Sequence, residues 1–474
     1  MSRPSLRFLS LWCGLAWLLA MAGCSSLPTI VPDLARPAGP PIQLEGARGQ
    51  LSAAQSKAVL TRLRDRGVPT DIFERHLALE EAIVGSPLTT GNEVVLLQDG
   101  PATYQAMFAA IQGAQDHINM ETYILDDDEV GQRFAQALID KQLQGVQVNL
   151  IRDSVGTLGT PAAFFQRLQD GGVKLLEFNP VNPVTALAER KEWALNQRDH
   201  RKLLIVDGRT AFLGGINISS VYSGGSFSRG SRGSKARSAA NSDGDPAWRD
   251  TDLQLRGPVV AEFQKLFIET WDKQKGEPLA AKNYFPAPET VGRQVVRAIG
   301  SSPDDPFSQI YATLLSAIAS AETSVSITNA YFVPDPQLLA TLESAARRGV
   351  DVRLILPSRT DSWLVFHAGR RYYAQLLRAG VKIFERRGVI LHSKTALVDG
   401  VWATVGSTNL DWRSFLHNQE LNAVVLGAEF GRQVQAMFDK DLAASDAIDL
   451  AQWDRRPLDL RLKELFARAW AYWL

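Results

Sequence analysis

The sequence predicts an α/β protein built as two tandem α/β sandwich domains, because one unit of alternating helices and strands is written twice. The stretch "MFAAIQGAQDHINMETYIL" (107–125), an amphipathic helix leading into an alternating strand, recurs in pattern as "LLSAIASAETSVSITNAYFV" (314–333). Each copy is followed by β-branched strand segments, "GVQVNLIRD" then "GGVKLLEF" in the first half and "GVDVRLILP" then "AGVKIFER" in the second. Finally, "HRKLLIVDG" (200–208) returns as "HSKTALVDG" (392–400), 192 residues later. The two copies are expected at 91–285 and 286–474.

A targeting segment precedes them. Residues 1–24 begin with Arg3 and Arg7, run apolar from Phe8 to Met21 and end in small residues, the pattern of a secretory signal. A signal-anchor helix is the alternative. Met21-Ala22-Gly23-Cys24 resembles the lipobox of bacterial lipoproteins, with Met21 where leucine is usual, and implies a lipidated Cys24 as the mature N-terminus. Ser25 and Ser26 follow, without the aspartate that retains lipoproteins at the inner membrane. The resemblance therefore implies an outer-membrane anchor facing the periplasm, with the inner membrane as the alternative. Residues 25–90 are expected as a tether and an N-terminal helical segment. The Pro-, Ala- and Gly-rich residues up to about 50 read as the tether, and "LSAAQSKAVLTRLRDRG" reads as the helix.

Composition narrows the partners. Hydrophobic content of 45% and charged content of 22% suit an ordinary folded chain. Without Arg3 and Arg7, the 51 basic residues fall to 49, against 51 acidic ones. A protein that grips nucleic-acid backbones usually carries a basic surplus, so nucleic acid is disfavoured as the main substrate. Cys13 would leave with the signal and Cys24 would carry lipid, which leaves no thiol for a disulfide or a thiolate metal site.

The first half carries two insertions. "NPVNPVTALAERKEWALNQRD" precedes His200 where the second half has only "RGVIL". The Ser/Gly-rich run 223–246 reads as a flexible surface loop, although its Arg229, Arg232, Lys235 and Arg237 could attract an anion.

The repeated motif carries the chemistry. "LLIV" reads as a strand, so His200 and Lys202, two apart, share one face at its start, as do His392 and Lys394. An ammonium beside an imidazole suits a phosphodiester: the lysine holds anionic oxygens while the histidine attacks phosphorus or moves a proton. A turn with an amide follows each copy, "GGIN" with Asn217 and "GSTN" with Ser407 and Asn409, and could complete an anion cradle. A carboxylate lies seven residues before a glycine in each half, Asp250 before Gly257 and Glu420 before Gly427. Counted within each half, Glu420 is 28 residues after His392 and Asp250 is 50 after His200. Such a carboxylate fixes the tautomer of an imidazole and stabilises its charged form.

The double pattern H-x-K-x4-D-x6-G-[GS]-x-N resembles the phospholipase D superfamily over about 380 residues. The resemblance implies a pseudo-dimer of two such domains that pool their motifs into one active site, with no metal or other cofactor. It implies His200 as the nucleophile and His392 as the acid/base, with Lys202, Lys394, Asn217 and Asn409 on the phosphate and Ser407 assisting. Asp250 and Glu420 would orient the histidines. Asp207 and Asp399 complete the catalytic motif but, following strands, read as structural. His76 and His117 lack motif context, and His367 and His417 are minor candidates for substrate contact.

Within the superfamily, "ETYIL", "YFVPD", "NQRDHRKLLIVDG" and "GSTNLDWRSF" are most similar to bacterial cardiolipin synthases, which transfer a phosphatidyl group to phosphatidylglycerol. A phospholipid substrate and a membrane surface reached through the lipid anchor are thus the expected partners. The alternatives are a phospholipase D that hydrolyses head groups, a nuclease or other phosphodiesterase, and a lipoprotein that binds lipid without turnover. The C-terminal "LRLKELFARAWAYWL" reads equally as an interfacial membrane helix or as a helix packed on the second domain.

Overall fold

The computed structural model describes residues 42–65, 67, 70–184, 194–224, 246–468 and 470. The signal, Cys24 and the tether up to residue 41 lie outside the described residues, as do 225–245 of the Ser/Gly-rich run.

Each half forms a mixed sheet with the same strand order. In the first, Lys174–Phe178, Gln147–Asp153 and His117–Thr122 run parallel. Leu203–Val206, Thr210–Gly214, Asp252–Arg256 and Leu88–Leu97 then continue it antiparallel. The second half repeats this with Lys382–Arg386, Asp351–Pro357 and Ser324–Asn329 in parallel. Lys394–Val398, Trp402–Gly406, Asn418–Leu426 and Gln294–Ser301 follow antiparallel. Parallel neighbours need crossovers, and helices supply them. Glu129–Leu143 starts on Asp128, which accepts from the Val130 and Gly131 N–H groups; Pro336–Arg347 starts on Asp335 in the same way.

The expected alternation of His117–Thr122 does not face water. All six residues are buried, and Asn119 is held inside by Asn149, whose Nδ2 donates to its Oδ1 at 2.7 Å. A parallel strand covered on both faces has no solvent side to alternate against.

The halves are joined through backbone and core. Leu88–Leu97 serves both sheets: Glu93–Leu97 pair with Asp252–Arg256, while Thr89, Thr90 and Asn92 pair with Val296, Val295 and Gln294. Between the sheets, Phe263 and Phe267 of one half share a core with Leu397, Val405 and Val434 of the other. Full burial of each such side chain stabilises by about 1.5–3 kcal/mol.

Two expected boundaries move. Residues 44–50, expected in the tether, form the strands Leu44–Gly46 and Gly49–Gln50, and Leu44 is fully buried and pairs with Leu88. The segment beyond it folds onto the second half: Ile72, Phe73 and Leu77 share a core with Tyr311 and Leu315. The boundary expected at 90/91 falls inside the strand that both sheets share. Pro and Gly content marked these residues as flexible, while the apolar residues among them were needed to cover the second half.

Candidate active site

Two short backbone exchanges bring the repeated motifs together. Arg198–Asp199 pairs in parallel with Asn418–Gln419, and the His200 N–H donates to Gln419 O at 3.0 Å. Trp248–Arg249 pairs in parallel with Ile390–Leu391, and the His392 N–H donates to Arg249 O at 2.7 Å. Each ladder stops one residue before a histidine on one segment and one before a carboxylate on the other. Glu420 therefore stands beside His200, and Asp250 beside His392.

The side chains complete the exchange. His200 Nδ1 lies 3.1 Å from both Glu420 oxygens, and His392 Nδ1 lies 2.6 Å from Asp250 Oδ2. The spacings counted within each half, 28 and 50 residues, do not describe the pairing: each carboxylate orients the histidine of the other half. With a carboxylate accepting from Nδ1–H, each Nε2 is left with its lone pair.

The two carboxylates are held differently. Ser407 Oγ donates to Glu420 and accepts the Leu421 N–H at 3.0 Å, so the serine expected on the phosphate instead positions a carboxylate. Its counterpart in the repeat is Gly215, where a Cβ would stand 2.2 Å from Asp250 Oδ1. The shorter aspartate leaves no room for a side chain there. Behind them, buried Arg249 pairs with Asp441 at 2.8 Å, and Arg201 Nε donates to the Glu420 carbonyl at 3.2 Å.

Burial dominates the electrostatics. It pushes His200 down to about 4, helped by the neighbouring Lys202 charge. His392 is lowered by burial and then by Lys394, whose Nζ lies 2.9 Å from its Nδ1. Burial brings Lys202 down to about 7 and Lys394 to about 8, and the Lys394 charge also lowers Lys202. Burial opposes ionisation of Glu420, but His200, Lys202 and Ser407 outweigh it and hold its pKa below the usual range. Neutral imidazoles thus sit between two lysines and two carboxylates.

Asp207 and Asp399 are outside this cluster. Each ends a motif strand in the left-handed region, at φ 54° and 49°. Asp207 accepts from the Gln115, Asp116 and His117 N–H groups, and Asp399 from those of Glu322, Thr323 and Ser324. About 17 Å of extended chain separates Asp207 from Lys202. Their place in the catalytic set is corrected: they tie the hairpin to the start of the neighbouring parallel strand.

Asn217 is largely committed to the protein. Its Oδ1 accepts the Ile124 N–H at 3.1 Å and its Nδ2 donates to Tyr222 OH at 3.1 Å, which leaves at most one amide hydrogen for a phosphate. Asn409 differs, since its buried Oδ1 has no hydrogen-bond partner. His76 is buried between Ser316 and Glu80, and His117 is held by Asp116. His367 packs on Trp363 and Phe366, and the His417 carbonyl accepts the Arg198 N–H.

Sequence reasoning missed the aromatic walls. Tyr123 lies edge-on to His200 at 5.1 Å. Trp248, Tyr222 and Tyr331 surround His392 at 5.0, 6.1 and 6.1 Å, and Tyr222 OH is 3.3 Å from its Nδ1. Tyr123 and Tyr331 were visible in the repeated segments. Tyr222 and Trp248 flank the Ser/Gly-rich run, and only the fold shows that both its ends return to one histidine.

The chain is similar to known proteins in sequence and in fold. The family described as "Cardiolipin synthase, PLD-like domain" matches at residues 107–223 and again at 314–442. The chain is 36% identical over 395 residues to a cardiolipin synthase of Geobacillus sp. (strain WCH70), covering 83% of this chain and 74% of that one. It is 37% identical over 361 residues to cardiolipin synthase A of Pseudomonas entomophila (strain L48), covering 75% and 69%. The crystal structure of a phosphatidylserine synthase of Haemophilus influenzae Rd KW20 aligns with a TM-score of 0.58 at 13% identity, covering 83% of this chain and 97% of that one. That last likeness is one of fold.

Proposed function

This chain belongs to the phospholipase D-like family of cardiolipin synthases, and on that footing we propose how its paired site acts and on which lipid. It is a cardiolipin synthase-like phosphatidyltransferase. The observation that carries the mechanism is the exchange of carboxylates, which gives two separately oriented histidines around one centre.

His200 Nε2 attacks the phosphorus of phosphatidylglycerol, forming a P–N bond as the P–O bond to glycerol breaks. His392 gives its Nε2 proton to the departing glycerol oxygen. A second phosphatidylglycerol then enters; His392 takes the proton of its terminal hydroxyl, and that oxygen attacks phosphorus and releases His200. The products are cardiolipin and glycerol. Lys202 and Lys394 hold the non-bridging oxygens, with Asn409 beside them. The bound anion raises the pKa of both lysines and of His392, which charges the acid when substrate is in place. Glu420 keeps Nδ1–H of His200 in place during attack, and Asp250 stabilises the imidazolium of His392.

Labelled phosphatidylglycerol tests this reading. Cardiolipin with released glycerol is the expected product, whereas phosphatidic acid alone would replace transfer by hydrolysis.

The lipobox-like Met21-Ala22-Gly23-Cys24 supports a lipid-anchored envelope protein, at the outer membrane and facing the periplasm. Acyl chains on Cys24 provide the two or more signals that stable anchoring takes. Cys24→Ser is expected to abolish lipid labelling, and a wild-type protein retaining Met1 in the inner membrane would overturn the lipoprotein reading.

A further inference from the structure

The C-terminal helix Leu458–Arg468 is packed the opposite way round from an ordinary surface helix. Its buried positions are Glu464 and Ala467. Ala467 meets Val365 and Ala368 of the helix Trp363–Arg370 in one cluster with Val333, and Glu464 is held by Arg456 at 2.7 Å. On the opposite side, Leu458, Leu462, Leu465 and Phe466 form a stripe at i, i+4, i+7 and i+8. They are 74%, 66%, 61% and 60% exposed. Contiguous apolar surface of this kind marks an interaction site.

The stripe adjoins the mouth of the active site. The Phe466 ring is 6.4 Å from that of Trp363, itself 48% exposed. The cluster under these residues includes Tyr331, whose ring lies 6.1 Å from that of His392. Across the site, the loop after Gln147–Asp153, the counterpart of the strand before Trp363, exposes Leu158 at 71%. That loop presses on the Tyr123 backbone at Gly156, where a Cβ would stand 2.1 Å from Tyr123 O, and the Tyr123 ring faces His200. Both lips of the mouth therefore present large apolar side chains.

We infer that this rim docks on a lipid bilayer, with the C-terminal helix lying in the interface and its stripe among the acyl chains. The inference rests on the phosphatidyltransferase reading, because that substrate resides in a bilayer. Charge favours the same occupant. Arg461 flanks the stripe and Arg359 lies exposed in the loop before Trp363, where anionic head groups would meet them, while Lys463 on the other flank is paired with Asp459 at 3.1 Å. Docking there sets the histidines above the head groups they act on, without drawing the lipid out through bulk water.

A single fluorescent label tests the contact. In full-length Cys13→Ser/Cys24→Ser protein, an environment-sensitive fluorophore is placed at Leu465→Cys. The control is Leu143→Cys, 74% exposed at the end of Glu129–Leu143, just before Gln147–Asp153 begins and so at the end of that strand away from the active site. With phosphatidylglycerol/phosphatidylethanolamine vesicles carrying an acyl-chain quencher, quenching at 465 is expected to exceed that at 143 by about tenfold. Equal quenching, or association of copies through the stripe without quenching, overturns the inference. The triple variant Leu462→Ser/Leu465→Ser/Phe466→Ser should lose about tenfold or more of turnover on vesicles. It should keep wild-type turnover of monomeric short-chain phosphatidylglycerol. Undiminished turnover on vesicles, or an equal loss on monomeric lipid, overturns the inference too. A wild-type protein that turns over neither lipid refutes the transferase reading, while the quenching result still decides the docking.

Discussion

His392 Nδ1 lies 2.6 Å from Asp250 Oδ2, a carboxylate that reaches it from the other half of the chain. Asp250→Asn keeps the shape but presents an amide where the imidazole needs an acceptor. We expect kcat to fall by about 10³–10⁴-fold, as when a triad carboxylate is neutralised. Glu420→Gln should act instead on His200. With an activated phosphodiester, phosphoenzyme should accumulate in Asp250→Asn and form slowly in Glu420→Gln. Rapid-quench labelling distinguishes the two, and the opposite assignment would mean that His392 is the nucleophile.

His200→Ala and His392→Ala should each lower turnover by about 10³-fold or more with the fold intact by circular dichroism, since one centre needs both a nucleophile and an acid/base. Substantial activity in either variant would mean that the halves work independently.

The pH profile follows from the lowered lysines. Lys202 and Lys394, at about 7 and about 8 in the free site, must be charged to hold the phosphate. Both lose that charge as pH rises, so kcat/KM should fall above pH 7 to 8. On the acid side His200, at about 4, remains an unprotonated nucleophile until low pH. Stability runs the other way. Because Lys202 titrates at about 7 when folded against 10.5 when unfolded, the unfolded chain binds more protons in between. The unliganded protein should therefore gain stability as pH rises through that window. Rates on monomeric lipid and denaturation midpoints from pH 4 to 10 check both signs.

Gly215 and Ser407 hold equivalent places but tolerate different changes. Gly215→Ala sets a methyl against Asp250 and should cost about 10²-fold in kcat by drawing the carboxylate off His392. Ser407→Ala removes one hydrogen bond to Glu420 and should cost about tenfold, near 1.4 kcal/mol. Similar losses in the two variants would show that the carboxylates are not held by these positions.

Asp207→Ala and Asp399→Ala should leave kcat nearly unchanged where the protein is folded. Each strips an acceptor from three backbone N–H groups, for a stability loss of about 2–4 kcal/mol. Thermal melts and rates on one preparation separate these effects. A lost kcat with an unchanged melt would return both residues to the chemistry.

The sequence by itself determined the repeated unit, the alternation of its helices and strands, and the identities of both histidines and both lysines. Local physics writes these directly: a strand needs β-branched residues in a run, and His-x-Lys on extended chain must share a face. The two carboxylates were also legible by aligning glycines. Their partners were not. Spacing along one chain measures contour, and the exchange is made by two-residue ladders between segments 220 and 142 residues apart. The same holds for Leu44, expected in the tether, and for Ile72 and Leu77, beyond the expected helix, to which the uncovered second half gives a surface to bury against. It holds also for the C-terminal helix, whose amphipathic pattern fitted either packing or a membrane. Only the tertiary structure shows which face met the protein, because that depended on what Trp363–Arg370 left open beside it.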